Sequence, residues 1–464
     1  MSTRLSELMD CLQGVVPTAI ATCSKDGIPN VTFLSYVKYV DDSHVALSCQ
    51  FFNKTKRNIA ENPLACIWLM HPVSLAAHRL VIRFLRSEFK GPLFDEMALR
   101  IDVIASQTGM SGVFKLLSAD IYEVLEIEPV AGHILPEAEA KDALAAAPAA
   151  FRQEGARGEL SALQALSDRI SRAECLDKLI DTLLDSTTEL FGVQHAMVLL
   201  FDETRLRLYT IDSRGYGKGG SGAEVMLGEG LIGTVAQSRK PLRVSHAGSD
   251  LRYGRAIRRS VESSTEADRL SREIPLPGLH DAQSQLVLPL VARERLVGAM
   301  VLESRDPLKF ADWHEAFLGV AANQAALAIA NLQEAEEPEE DRPAGESQRL
   351  KPLAGRARTF TFYAQDDAVF VDDQYLIRNL PGRILWKILR EFVHKKRNEF
   401  TNRELRLDDS LGLPPLKDNL ESRLILLRKR LEEKCPDVRM VPTRRGAFAL
   451  ESDSEIVLID SPKA

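Results

Sequence analysis

The chain has 464 residues, 45% hydrophobic and 27% charged, which is too long for one ordinary domain and apolar enough for about two to four domains with real cores. No apolar run is long enough for a membrane-spanning helix, and Met1 to Asp10 carries acids but no apolar signal core; a cytoplasmic protein with no membrane partner is expected. The formal net charge of −7 is uneven, because residues 357–450 hold 19 Lys and Arg against 14 Asp and Glu, so an acidic body carries a basic module.

In chain order, Val15 to Thr22 reads as a strand and Ser24 to Gly27 as a turn. Asn30 to Val40 is a second strand, His44 to Gln50 a third after the Asp41-Asp42-Ser43 turn, and Leu64 to His71 a fourth. Between the last two, the segment Phe51 to Pro63 puts Lys54, Thr55, Arg57 and Asn58 on a turn that opens a short helix. Two cations, a hydroxyl and an amide beside free helix N–H groups suit a bound phosphate. The plainer reading is a polar helix start with solvated lysines. Further on lie Gly109-Met110-Ser111-Gly112-Val113-Phe114 and the strand Ala119 to Val124.

From about Val15 to about Val130 this order resembles the FMN-binding split barrel of the pyridoxamine 5'-phosphate oxidase family. The resemblance implies FMN as cofactor. Its phosphate would be held by Lys54, Thr55 and Asn58 with Arg57, and its ring lined by the strand around Thr32 to Ser35. It also implies a homodimer with the flavin between subunits. A true oxidase of the family ends its barrel in an Arg-containing strand that clamps the substrate phosphate. Here the barrel ends at Glu128-Pro129-Val130 and runs into a linker, so no catalytic residue is assigned. Related split barrels hold haem or deazaflavin, which leaves His71 and His78 as alternative ligands. No two of the six cysteines form a C-x-x-C motif. Cys23, Cys49 and Cys66 lie in or beside barrel strands, either as separate buried thiols or as an iron–sulfur cluster.

Residues 131–158, rich in Ala, Glu, Pro and Gly, read as a linker, and the acidic, Pro-rich residues 334–356 as a second. Between them, residues 159–333 open with helical periodicity at Leu160, Leu163, Leu166 and Ile170 and again at Leu176, Leu179, Ile180, Leu183 and Leu184. Strands follow at His195 to Phe201, Arg205 to Ile211, Gln285 to Val291 and Arg295 to Leu302, and a helix closes the unit at Trp313 to Leu332. The run Gly228-Glu229-Gly230-Leu231-Ile232-Gly233 matches G-x-G-x-x-G by letter. It lacks the βαβ context and the acidic residue of a dinucleotide site. The whole order is similar to a GAF domain, in which this run turns into a short helix beside a ligand cavity. Either a small-molecule ligand or a plain dimerisation spacer suits that fold. A polar insertion between Tyr253 and Ser284 falls where GAF domains keep a cover over the cavity.

Residues 357–453 begin with alternating β character at Thr359 to Ile377. An amphipathic helix follows, with Ile384, Leu385, Ile388, Leu389 and Phe392 on one face. Thr401 and Glu404 have capping-box spacing, and a third helix runs from about Asp418 to Glu433. A hairpin ends the unit, with Thr443-Arg444-Arg445 at its tip. This is similar to the winged-helix output domain of response regulators, a resemblance that implies DNA as partner. Arg423, Arg430 and Lys434 of the third helix and Arg444 and Arg445 of the wing would make the contacts. Ile425 and Leu426 stand where the family has polar base-reading side chains. They suit either thymine methyls or a protein partner.

The expected architecture is therefore multidomain α+β: a split β-barrel, a GAF α/β sandwich and a winged helix. Two functions follow from it. One is a flavin-binding one-component transcription regulator. The other is an FMN-dependent oxidoreductase with regulatory GAF and protein-interaction C-terminal domains.

Overall fold

The computed structural model describes residues 3–130, 156–245, 281–334 and 357–461, apart from 15, 16, 51, 52, 73, 204, 217–222, 365, 366, 412, 414–419 and 445, together with 255, 256, 258, 259, 278 and 279. A 3-10 helix, Leu5–Gln13, leads into seven strands: β1 (Thr18–Cys23), β2 (Pro29–Leu34), β3 (Val37–Asp41), β4 (His44–Cys49), β5 (Leu64–Met70), β6 (Ala77–Glu88) and β7 (Ser118–Val130). They form one antiparallel sheet in the order β2-β1-β5-β6-β7-β4-β3. The edge strands β2 and β3 are consecutive in sequence, so the short bend between them carries the chain from one edge to the other and curls the sheet. Sequence reading runs Asn30 to Val40 as a single strand. It breaks at Ser35-Tyr36, where the Tyr36 N–H donates to Ser48 Oγ at 3.1 Å and the Tyr36 ring takes the Arg100 guanidinium at 4.4 Å. Inside the curl lie Ile20, Leu34, Val45, Leu47, Ile67, Leu80 and Ile82. Helix α1 (Asn53–Glu61) covers the β1–β2 corner, and α2 (Pro92–Gln107) connects β6 to β7.

The middle unit packs α3 (Ala156–Ser171), α4 (Leu176–Phe191) and, after the sheet, α6 (Asp312–Glu334) on one face of a six-stranded sheet. Its strands are β8 (His195–Asp202), β9 (Arg207–Arg214), β10 (Glu224–Met226), β11 (Leu242–Ser245), β12 (Ser284–Ala292) and β13 (Arg295–Ser304), ordered β10-β9-β8-β13-β12-β11. Helix α5 (Gly230–Ser238) lies on the opposite face with Met197, Leu199, Val287 and Val301. Both faces of β8 are buried, which explains why its sequence is an unbroken apolar run rather than an alternating one. The polar insertion anticipated between Tyr253 and Ser284 falls mostly outside the described residues.

In the C-terminal unit, β14 (Arg358–Tyr363), β15 (Ala368–Val371) and β16 (Gln374–Ile377) form a sheet with β20 (Ile456–Ser461), ordered β16-β15-β14-β20. Helices α7 (Asn379–Lys395), α8 (Asn402–Arg406) and α9 (Leu420–Lys434) pack beneath it. A second sheet joins β17 (Glu399–Thr401), β19 (Ala447–Ser452) and β18 (Val438–Arg444). The capping box forms as its spacing predicts, with Glu404 N–H donating to Thr401 Oγ1 at 3.2 Å and Thr401 N–H to the Glu404 carboxylate at 3.2 Å. Strand β20 lies beyond the 357–453 span read from sequence, and it pairs in parallel with β14. Arg358 ties this corner, donating to both Asp437 carboxylate oxygens at 2.8 Å. Those bonds hold the Asp437 carboxyl well below the usual carboxylate range.

Candidate functional site

The barrel positions the expected phosphate residues on α1, but their side chains part company. Thr55 and Asn58 are 6% and 4% exposed. Asn30 Nδ2 donates to Thr55 Oγ1 at 3.0 Å and Asn58 Nδ2 to Thr22 Oγ1 at 3.1 Å. These two side chains pin the helix onto β1 and β2. Lys54 and Arg57, three residues apart and hence on one helical face, are exposed at the start of the helix. Thr32 is half-buried in β2 opposite Ile20. Ser35 Oγ donates to Gln50 Oε1 at 2.6 Å. Gln50 is buried, and its Nε2 has no hydrogen-bond partner among the described residues. An orphaned buried amide is costly, so this donor is suited to a carbonyl or ring-nitrogen acceptor.

Within the curl is a cavity of about 110 Å³, lined by Ile20, Leu47, Cys49, Phe84, Asp120 and Tyr122 among others. Ligand pockets run from roughly 300 Å³ upward, so this space is too small for a tricyclic ring. It also contains a carboxylate: Asp120 Oδ1 accepts from Ser87 Oγ at 2.6 Å and Ser118 Oγ at 2.8 Å. That disfavours a phosphate inside. Burial, with Asp120 and Cys49 nearby, raises the Tyr122 phenol well above its ordinary range. Lys54 and Arg57, exposed on one face of α1, fit the anion of a phosphate-bearing cofactor laid on the barrel surface, whereas the Gln50 amide is buried behind that surface. Cys49 lines the inner cavity, whereas Cys66 sits between the inward Ala65 and Ile67 and so points outward. The three barrel cysteines are not brought into one cluster, and none of the six cysteines is in a disulfide. His71 Nδ1 accepts from the Ser74 N–H at 3.1 Å. Burial, with His71 close by, lowers the pKa of His78.

In the middle unit the three glycines serve the turn into α5. Gly228 and Gly230 have φ of +78° and +62°, and a Cβ on Gly233 would lie 2.1 Å from the Met226 carbonyl oxygen. This turn docks on the barrel: Ser106 Oγ of α2 donates to Gly228 O at 3.0 Å and accepts from the Gly230 N–H at 2.8 Å. Leu99 and Val103 of α2 complete the apolar cluster on that face. Gln13 Oε1 accepts from Arg243 at 3.1 Å and Ser245 Oγ at 3.0 Å. Sequence reading missed this interface, because neither α2 nor its serine carries a motif. At the far end of the same face, Glu303 is 1% exposed and accepts from the Leu279 N–H and Gln285 Nε2. Burial raises its pKa despite those bonds.

The C-terminal helix α9 does not face solvent where its basic residues were expected to be available. Arg423 is buried and donates to Asp202 of β8 at 2.8 Å. Arg430 is also buried, donating to the Leu376 carbonyl at 3.1 Å and to Glu433 at 3.1 Å. Arg428 pairs with Asp177 of α4, and Lys429 pairs with Asp212 of β9 and, at 3.2 Å, with Asp181. Ile425 is 1% exposed within the core of the middle unit, while Leu426 belongs to the core of its own unit. Of the alternatives left for Ile425, the structure shows protein packing, and the partner is this same chain. Lys434 and Arg444 are exposed. Arg445 lies outside the described residues.

Residues 176–329 match the GAF domain family, and residues 6–93 match the pyridoxamine 5'-phosphate oxidase family. The chain carries a GAF domain and a split barrel of the pyridoxamine 5'-phosphate oxidase kind. Among solved structures it is similar to the GAF domain of an Acinetobacter phosphoenolpyruvate-protein phosphotransferase (21% identity, 40% of this chain and 100% of that one, TM-score 0.33). It is also similar to an FMN-binding protein from Syntrophomonas wolfei (19%, 28% and 93%, 0.22). A third is the free methionine-R-sulfoxide reductase of Neisseria meningitidis with its substrate (14%, 39% and 95%, 0.31). An uncharacterized protein of Methanocaldococcus jannaschii is 48% identical over 46 residues, 10% of this chain. The chain spans about a third of that relative's length, 31%.

Proposed function

We propose that the chain is a flavin-binding one-component transcription regulator in which the split barrel holds FMN, the GAF domain senses redox state or a small ligand, and the C-terminal unit is a winged helix that binds DNA. The observation that carries this reading is physical continuity. The GAF domain packs through its Gly-rich turn on barrel helix α2 and, through Asp177, Asp181, Asp202 and Asp212, on helix α9. A change at the barrel thus has a packed route to the C-terminal helix. Lys54 and Arg57 would take the flavin phosphate, while Thr55 and Asn58 fix the helix that presents the cations. When bound, the flavin would supply a redox-responsive ring; the residues described here bind and orient it. Lys434 and Arg444, exposed on α9 and β18, would meet DNA phosphates, together with Arg445, the next residue in the sequence.

A homodimer also belongs to this reading. Val31 and Phe33 of β2 are 68% and 61% exposed, and Trp68 of β5 is 40% exposed. Phe33 and Trp68 both pair with Ala19, from opposite sides of β1, so they share the outer face of the sheet. Such an apolar patch suits a twofold contact. Purified protein tests the whole reading. Yellow colour with retention on duplex DNA at moderate salt supports the regulator. Turnover of NAD(P)H or an amine without DNA retention supports the oxidoreductase instead.

A further inference from the structure

The helix that the regulator reading assigns to DNA is occupied, and its occupant is informative. Leu420, Leu424, Leu427 and Leu431 turn into the C-terminal core. The opposite side, carrying Ile425 and Lys429 and flanked by Arg428, is the side an isolated unit would offer to a groove. In this chain Ile425 is sunk into the GAF core. Lys429 meets Asp181 and Asp212, and Arg428 meets Asp177. Arg423, at the flank, is buried on Asp202. A second strut joins the start of α7 to the same sheet edge: Asn379 Nδ2 donates to Glu224 at 3.0 Å, and Arg378 lies 3.8 Å from it. Four aspartates from α4, β8 and β9 thus stand where phosphates would stand. A duplex cannot reach these three cations while the acids hold them.

We propose that the GAF domain is an intramolecular competitor of DNA: its Asp177, Asp181, Asp202 and Asp212 clasp α9 shut, and DNA binding requires the clasp to open. This inference rests on the regulator reading. The coupling sets what ligands must do. A ligand that favours the open arrangement raises DNA affinity, and DNA raises the affinity for that ligand by the same factor. Opening also frees Arg423, Arg428 and Lys429. At roughly 0.9 of a counterion per phosphate contact, the log–log salt slope should steepen by up to about 2.7.

The test uses the full chain and a fluorescent duplex at about 100 mM salt, with amide hydrogen exchange read over residues 420–434. The double variant D177N/D202N removes two clasp charges. The matched variant E174Q/E189Q removes two charges at side chains that are 80% and 57% exposed and that pair with Lys178 and Arg169 rather than with α9. The clasp predicts faster exchange in α9 and DNA binding tightened roughly 5- to 150-fold in the first variant, with neither change in the second. Should the double variant fail to fold, Asp177→Asn alone, at a side chain 25% exposed, carries the same prediction with a smaller gain. Faster α9 exchange with wild-type DNA affinity overturns the clasp and leaves the regulator reading standing. Unchanged α9 exchange in both clasp variants also overturns it. Loss of all DNA retention, in wild type and variants alike, removes the regulator reading and the clasp with it.

Discussion

Arg423 is the residue whose replacement separates a designed contact from an incidental one. Its guanidinium lies 2.8 Å from Asp202, and the two side chains are only 9% and 7% exposed. Removing one partner of a buried pair leaves the other charge uncompensated and costs about 3–5 kcal/mol. Replacing both with apolar groups is often nearly neutral. The surroundings suit that replacement, since Leu200, Phe201, Tyr209, Ile211, Pro381 and Leu426 line the adjoining space of about 20 Å³. Arg423→Met and Asp202→Leu should each weaken the docking of α9 by about 3 kcal/mol or more, and the double variant should recover most of that loss. Three units need not unfold together, so the readout is hydrogen exchange over residues 420–434 in the full chain. Additivity of the two single effects within about 0.5 kcal/mol would refute the reasoning.

Other outcomes follow from particular residues. Lys54→Ala should weaken FMN binding by about ten- to a hundredfold through loss of a charge-assisted bond; wild-type affinity in a flavin titration would remove Lys54 from the site. Asn58→Ala should instead destabilise the barrel by roughly 1–3 kcal/mol, because it removes the shorter of the two hydrogen bonds to Thr22 Oγ1, leaving only that from Asn30 Nδ2 at 3.5 Å, and loosens α1; an unchanged thermal midpoint counts against the anchoring role. Gly233→Ala should unseat α5, since the new Cβ would lie 2.1 Å from the Met226 oxygen, and circular dichroism melting should show the loss. His314 is 3% exposed, and burial, with Lys309 and Arg243 nearby, lowers its pKa to about 4. The unfolded chain therefore binds its proton first, at about 6.5. The stability of the neutral form is full above that value and is lost progressively as pH falls toward about 4, by up to about 3 kcal/mol. His314→Gln should flatten that acid slope, and an identical slope in the variant would show that another group is responsible.

Much of the local structure was legible because it depends on near neighbours. The turns around Gly27 and Asp41-Asp42, the helix after Phe52 and the Thr401–Glu404 capping box are all set within a few residues. β6 was not legible: its outward Arg79 and Arg83 break the apolar signal, and they pair with Glu128 and Glu123 across the sheet on β7. The phosphate residues were placed on the right helix, but sequence could not divide them. Only the packing of α1 on Thr22 and Asn30 turns Thr55 and Asn58 inward and leaves Lys54 and Arg57 outside. Arg423 read as a DNA contact because its acidic partner Asp202 lies 221 positions away, and Arg430 because its packing against the Leu376 carbonyl, 54 positions away, carries no charge signal. A charge surplus in one segment does not reveal that another segment neutralises it.

The most direct test of the sensor-regulator account is the dissociation constant of the full chain for duplex DNA at about 50 mM salt, measured with and without saturating FMN. The account predicts salt-sensitive binding whose affinity FMN shifts by roughly 5- to 150-fold, with DNA shifting FMN affinity by the same factor. No retention of DNA by the full chain and by its D177N/D202N variant alike, or one dissociation constant in both conditions, would contradict it.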